Sequence, residues 1–268
     1  MGQGEVPRGS WHVTALGSGG WMPTEVRETS CYALRAEEQL LLLDAGTGVR
    51  RLVTEPSRLD GVERLDVLLT HFHADHLIGL SYLPALPRRL PVTIWAPGRP
   101  HYGAPEAVLR AFLGSPYQPT LGGPDQPGIP GADVHEISVD GSFVVGRLRI
   151  SARWQLGHSD PSMAFRVSDA LTYCTDTPVD PGNVEFARGS RLLLHEAWGA
   201  EDLRDLSHSR AAGAASIALA AGVEDLVLVH ANPLGDDALV LADARGVFPR
   251  ARVAQDLNRF YPWRTDVR

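Results

Sequence analysis

The stretch Leu68-Leu69-Thr70-His71-Phe72-His73-Ala74-Asp75-His76-Leu77-Ile78-Gly79-Leu80 constrains this chain more than any other. The apolar run Val67 to Leu69 is predicted to be a buried strand, and Asp75 to Leu83 the start of a helix with Asp75 near its N-terminus. The turn between them carries three imidazoles and a carboxylate within six positions. Those are the groups that hold a Zn²⁺-like ion at roughly 2.0–2.2 Å each. His71 and His73, two apart on extended backbone, project to one side and can share an ion. Asp75 and His76 leave the turn in another direction and can serve a second. A solvated loop that happens to be rich in histidine is the plainer alternative, but nothing in it accounts for this packing of ligands between two apolar runs. The stretch reads as a metal site.

The order His71-x-His73-x-Asp75-His76 resembles the signature motif of the metallo-β-lactamase superfamily, whose hydrolases hold two metals in a four-layer αββα sandwich, an α/β (α+β) fold. Matching residues follow along the chain: His158 in Leu156-Gly157-His158-Ser159, Asp176 after Tyr173-Cys174-Thr175, and His230 after Leu226 to Val229. Asp44 in Leu43-Asp44-Ala45-Gly46 matches an early structural aspartate. The resemblance runs from about Val13 to Asp256 and implies His71, His73 and His158 on one ion, Asp75, His76 and His230 on the other, with Asp176 bridging. Two divalent ions are implied, zinc first, with manganese or iron accepting the same nitrogen and oxygen ligands. His73 stands where the redox-active di-iron branch carries glutamate.

Two further motifs narrow the branch. His195-Glu196-Ala197 and Ser207-His208-Ser209 resemble elements of the ribonuclease Z-like phosphodiesterases, with departures at Trp198 and Arg210, where that group often has threonine. The resemblance implies that His208 contacts the scissile phosphate and helps the leaving oxygen, oriented by Glu196. An imidazole at a helix N-terminus paired with a carboxylate is also a sound general acid in its own right. A helix-capping histidine beside a solvated glutamate is the other reading. Asp75 is counted with His208 and Glu196 among the catalytic candidates. Ser18, Trp21 and Trp198 are candidates for substrate contact, the first two within a glycine-rich loop, Gly17 to Thr24, that resembles the N-terminal loop of the same group.

The formal net charge of −7 supplies no basic footprint for nucleic acid. Cys31 and Cys174 are too few for a disulfide framework, and Cys174 reads as a core residue. No run of about 18 apolar residues offers a membrane span, and the first residues lack a secretory pattern. Cytoplasmic localisation is the default expectation. Residues 1–12 read as a tail and 13–268 as one domain.

Predicted elements run in order along the chain. Strands are expected at Val13 to Leu16, Cys31 to Leu34, Leu40 to Asp44 and Pro91 to Trp95, with a helix over Gly48 to Glu55 stopped by Pro56. Eight of the 20 prolines fall between Pro97 and Pro130, so residues 97–133 read as a lid-like segment interrupted by one helix, Glu106 to Phe112. Val134 to Ile137, Ser142 to Val145 and Leu148 to Ala152 read as a meander, and Met163 to Val167 with Leu171 to Cys174 as a hairpin. Leu192 to His195 and Leu226 to Val229 read as buried strands. Ser209 to Ala221 reads as a helix capped by Ser207 or Ser209 and ended by Gly222. Two antiparallel-rich sheets are expected.

Ribonuclease Z proper carries a glycine- and proline-rich arm for precursor tRNA between the ligands matching His158 and Asp176, which here lie only 18 positions apart. The expected function is therefore a dinuclear metal-dependent hydrolase using a metal-bridging hydroxide on a small phosphodiester or cyclic phosphate. A lactonase or thioesterase, ribonuclease Z-type RNA processing, and a non-catalytic binding protein are the alternatives. The expected partner is a small-molecule substrate, without nucleic acid or membrane, and a homodimer is allowed for.

Overall fold

The computed structural model of the protein describes residues 11–87, 90–117, 132–200 and 207–263. These residues form two seven-stranded sheets. The first contains β1 (His12–Gly17), β2 (Cys31–Ala36), β3 (Gln39–Leu43), β4 (Arg64–Leu68), β5 (Val92–Ala96), β6 (Ala132–Glu136) and β14 (Arg259–Phe260), in the order β14-β1-β2-β3-β4-β5-β6. The second contains β7 (Ser142–Val145), β8 (Leu148–Gln155), β9 (Ser162–Val167), β10 (Leu171–Cys174), β11 (Leu192–Glu196), β12 (Asp225–Val229) and β13 (Ala251–Val253), in the order β13-β12-β11-β10-β9-β8-β7.

Period-two alternation divides the strands between three apolar layers. On β3, Leu41 and Leu43 face the other sheet while Leu40 and Leu42 face outward; on β12, Val227 and Val229 face in while Leu226 and Leu228 face out. Tyr32 and Tyr173 meet across the central layer with ring centres 5.5 Å apart. The outer layer of the first sheet is covered by α1 (Arg50–Thr54), α2 (Ala74–Leu77) and α3 (Pro105–Leu113). That of the second is covered by α4 (Gly182–Ala187), α5 (Ala211–Ala221) and α6 (Asp237–Arg245). Three apolar layers between four structural ones make the αββα sandwich that the sequence predicts. Truncating a fully buried side chain of the central layer, such as Leu41→Ala, costs roughly 2–5 kcal/mol.

Each sheet is half antiparallel and half parallel, rather than antiparallel-rich. β3 to β6 run parallel in the first sheet, and β10 to β13 in the second. The sequence carries the reason: Leu40 to Leu43, Leu192 to Leu194 and Leu226 to Val229 are continuous apolar runs, which suit parallel strands covered on both faces. The expected meander is divided as well. β6 closes the first sheet beside β5, and the chain then crosses to the second, where β7 and β8 form a hairpin.

Three helix expectations need correction. Gly48 to Glu55 is a 3₁₀ turn (Thr47–Val49) followed by α1, and Pro56 opens another 3₁₀ turn. After the His/Asp motif, α2 lasts one turn and gives way to a 3₁₀ segment, Ile78–Ala85, that contains Pro84. Its backbone groups are diverted: Ala45 N donates to His76 O at 2.7 Å and Gly79 N donates to Ala45 O at 2.8 Å. A Cβ at Gly79 would lie 2.2 Å from Gly46 O, so that contact requires glycine. Finally, α5 starts at Ala211, and neither serine caps it by side chain. Ser209 Oγ donates to Thr177 O at 2.8 Å, and Asp243 on α6 accepts from Ala212 N at 2.7 Å in the cap's place. Gly222 ends the helix in the left-handed conformation (φ 67°) as predicted.

Candidate metal centre

The ligand residues lie at the C-terminal ends of the parallel strands, where α/β sheets ordinarily gather their ligands. Asp44 follows β3, His71 follows β4, Asp176 follows β10, Glu196 ends β11 and His230 follows β12. Three of these leave their strands with left-handed backbone: φ is 59° at Asp44, 50° at Asp176 and 54° at His230. Such conformations cost on the order of 1–3 kcal/mol each and persist where the surroundings fix them. They swing the side chains off the strand line and into the space between the sheets' ends. His230 makes a second backbone demand, since a Cβ at Gly20 would lie 2.4–2.5 Å from its ring.

Two sets of donor atoms converge. His71, His73, His158 and Asp176 form one, and Asp75, His76 and His230 the other, with donor atoms within 4.8 Å of one another in each. In the first, His158 Nε2 lies 3.3 Å from His73 Nδ1 and 3.6 Å from Asp176 Oδ1. In the second, Asp75 Oδ2 lies 3.3 Å from His76 Nε2 and 3.2 Å from His230 Nε2. Asp176 reaches into both, Oδ2 at 3.1 Å from His76 Nε2 and Oδ1 at 3.4 Å from His230 Nε2. Ligands at ~2.0–2.1 Å in tetrahedral array stand about 3.3–3.4 Å apart, so these spacings suit a metal between them. Asp176, His208 and His230 form a third overlapping group.

The outward-facing nitrogens set the tautomers. His76 Nδ1 donates to Asp44 Oδ2 at 2.8 Å, His73 Nε2 to Asp160 Oδ2 at 2.9 Å, and His158 Nδ1 to Ser207 O at 3.3 Å. Thr70 Oγ1 gives its own proton to Asp44 at 3.0 Å, so at 3.0 Å it must accept from His71 Nδ1. Each of these imidazoles then turns its remaining nitrogen toward the centre. Nε2 of His71 and of His76 are buried without a hydrogen-bond partner among the described residues. A bound cation resolves such orphaned acceptors. The donor set fits two divalent ions.

Asp44 is the hub of this support. It is fully buried and accepts from Thr70 N (2.8 Å), Thr70 Oγ1, His76 Nδ1 and Tyr173 Oη (2.8 Å). Sequence reasoning had Asp44 but missed Thr70, Asp160, Tyr173 and the Ser207 carbonyl. Only Thr70, adjacent to His71, had a positional cue.

Burial is the largest influence on His71, His158, His76, His230, Asp75 and Asp176, and the sets respond differently. It pushes the His71 imidazole well below its ordinary pKa and lowers His158. In the second set it also acts downward, but Asp176 and Asp75 override it, raising His76 well above the ordinary value, with Asp44 contributing, and raising His230. Burial tends to raise the carboxyls of Asp75 and Asp176, yet the surrounding imidazoles hold both well below the carboxylate range.

Beside the ligands, His208 Nδ1 donates to Glu196 Oε2 at 2.8 Å. Glu196 is fully buried, and its other oxygen accepts from Thr177 N at 2.5 Å. Trp198 stacks on His208, ring centres 4.7 Å apart and planes 17° from parallel. Trp21, 60% exposed, stands at the rim, its backbone N donating to Asp75 Oδ2 at 2.7 Å. Ser18 is not at the surface of the site. It is fully buried, its hydroxyl bonded to Asp256 (2.8 Å) and to Arg27 Nη1 (2.6 Å), so it fastens the glycine-rich loop from behind. Part of the lid-like segment borders the site: Tyr102 packs edge-on against Phe72 at 5.0 Å and donates to Pro161 O at 2.6 Å. Residues 118–131 of that segment lie outside the described residues. Both cysteines are buried and free, and neither belongs to a ligand set.

Residues 40–231 match the family described as Beta-lactamase superfamily domain. The ribonuclease Z of Trichodesmium erythraeum (strain IMS101) is 27% identical over 307 residues, covering 91% of this chain and 93% of that protein. Among solved structures, the metallo-β-lactamase fold protein YhfI from Bacillus subtilis superposes with a TM-score of 0.75 at 19% identity, covering 93% of this chain and 98% of its own. A diphosphatase from the PhnP family superposes at 0.69, also with 19% identity, covering 93% and 97%.

Proposed function

The chain belongs to the β-lactamase superfamily and is a hydrolase of that family; from this we propose that it is a phosphodiesterase acting on a small phosphodiester or cyclic phosphate. The observation that carries the reading is the His208–Glu196 pair, 2.8 Å long, standing beside the two ligand sets. His71, His73, His158, Asp176, Asp75, His76 and His230 would hold two divalent ions, which would supply Lewis acidity and an activated nucleophile at neutral pH. The protein's own residues must then handle the leaving group. With Nδ1–H committed to Glu196, His208 in its protonated form carries its second proton on Nε2 and can deliver it to the departing oxygen. The buried Glu196 carboxylate fixes that tautomer and stabilises the imidazolium. Trp198, stacked on His208, holds the ring in plane and offers an apolar wall to the departing group.

Carbonyl hydrolysis needs no such acid–carboxylate pair, which favours phosphorus over a lactone or thioester. The names of the relatives, ribonuclease and diphosphatase, point the same way. Small size is supported by the interval between His158 and Asp176, occupied by the β9–β10 hairpin with a turn at 168–170. The alignment to the Trichodesmium protein spans 307 positions although only 91% of these 268 residues, about 244, enter it; about 63 positions of that ribonuclease therefore have no counterpart here.

The test is leaving-group dependence. In metal-loaded protein, His208→Ala is expected to slow diesters with poor leaving groups by ~10²–10⁴-fold while sparing bis-p-nitrophenyl phosphate. Equal loss on both would remove the acid role. Cleavage of a 3′-extended precursor tRNA at rates matching small diesters would move the reading to RNA processing.

A further inference from the structure

One sizeable cavity is lined by none of the ligand residues. It measures about 560 Å³ and lies between α6 and the two edge strands β13 and β14, lined in part by Arg245, Arg252, Arg259, Asn258 and Phe260. That volume is within the ~300–1,000 Å³ usual for small-molecule sites. Its charge opposes that of the chain. Net charge is −7 overall, yet residues 245–260 carry four arginines and a single acid, Asp256, which is engaged by Arg51 at 2.9 Å.

Two of the arginines are held in place. Arg245 Nε donates to Ala251 O at 3.1 Å, which leaves its terminal nitrogens for another partner. Arg252 lies over the Phe260 ring at 5.4 Å, with Asp225 3.7 Å from its Nη2. Neither Arg245 nor Arg259 has a carboxylate within ion-pair distance among the described residues. Asp237 lines the same cavity, but its carboxylate is paired with the largely buried Arg27. The amide oxygen of Asn258 accepts from Gln255 N at 3.1 Å, so its NH₂ remains as a donor.

A planar guanidinium fork matches phosphate oxygens in geometry and keeps its charge at any physiological pH. Phe260, buried beneath Arg252, seats that guanidinium at the groove. We propose that this groove binds a phosphate-bearing small molecule of mononucleotide size, at a site separate from the metal centre. A bare inorganic anion would leave most of the 560 Å³ unfilled. Arginines that merely keep two edge strands from pairing with other chains are the competing account.

The probe is adenosine 5′-monophosphate titrated by calorimetry into metal-loaded protein at low salt, comparing the native chain with the double variant Arg245→Ala/Arg259→Ala. The native chain is expected to saturate below about 1 mM. The variant should bind the nucleotide about tenfold or more weakly, the loss expected of a charged hydrogen bond. Its turnover of bis-p-nitrophenyl phosphate should be unchanged, which also certifies the fold. Should the variant not fold, the singles Arg245→Gln and Arg259→Gln carry the same comparison. Raising the ionic strength should weaken binding in the native chain. Identical nucleotide affinity in native and variant chains places the binding at the metal centre alone and overturns the proposal. Absence of saturation in the native chain makes these arginines edge protection and overturns it too.

Discussion

The two ligand sets share Asp176 yet are built on different chemistry. His71, His73 and His158 are steered mainly by a hydroxyl, a backbone carbonyl and the half-exposed Asp160, and burial holds His71 and His158 toward neutrality. Asp75, His76 and His230 lie among carboxylates that favour the protonated imidazoles. A metal entering the first set meets His71 and His158 already neutral. One entering the second must displace protons, which makes its affinity the more pH-dependent. The same fold thus supplies one half prepared for a cation and another that keeps its charge balanced without one.

Removing the shared carboxylate should have the largest effect. Asp176→Ala is expected to cost activity well beyond the ~10–100-fold of an outer-shell loss, and elemental analysis should find fewer than two ions per chain with the fold retained. Two ions at native affinity would mean that the halves do not depend on a bridge.

Next come the supports. Asp44→Asn disturbs His76 directly and His71 through Thr70, so metal affinity should fall ~10–100-fold in both halves. Asp160→Asn touches His73 alone, through a pair more than a third exposed on both sides, so it should cost the first half less than tenfold. Competition titration with a zinc indicator separates the two. Equal losses would erase the distinction between a buried hub and a surface prop.

The smallest effect expected is on stability against pH in metal-free protein, where the halves should differ in sign. Raised values at His76 and His230 mean stabilisation present in full below the unfolded imidazole pKa of ~6.5 and lost as pH rises through the folded values. Lowered values at His71 and His158 mean stability lost as pH falls through ~6.5, because the unfolded chain then takes up the protons. Thermal midpoints from pH 5 to 9 should fall at both ends. His230→Gln should flatten the alkaline side only; a flattened acid side instead would reverse the assignment.

What could be read without a structure followed from chemical rarity. A cluster of His71, His73, Asp75 and His76 has few uses other than metal, and the continuous leucine runs announced buried strands. Thr70, Asp160 and Tyr173 are ordinary residue types, and their roles exist only once strands from both sheets are side by side. Ser18 misled for the complementary reason: a polar residue in a glycine-rich loop reads as exposed, whereas Arg27 and Asp256 fold over it. β13 and β14, three and two residues long, are too short to show any periodicity. The division of β6 from β7 hinges on which sheet each joins, and the turn residues around Asp140 look alike in either case.

The first sheet is finished by residues far removed in sequence. β14 pairs with β1 through Val13 and Phe260, and Trp263 sets its ring against Trp11 at 5.5 Å. During synthesis, everything from β1 to β6 can have left the ribosome while one edge of β1 still lacks its partner. An unpaired edge backed by apolar side chains is a template for the wrong strand. That edge stays unpaired until residue 260 has cleared the exit tunnel, and a chain cut short before residue 259 would be released with it open.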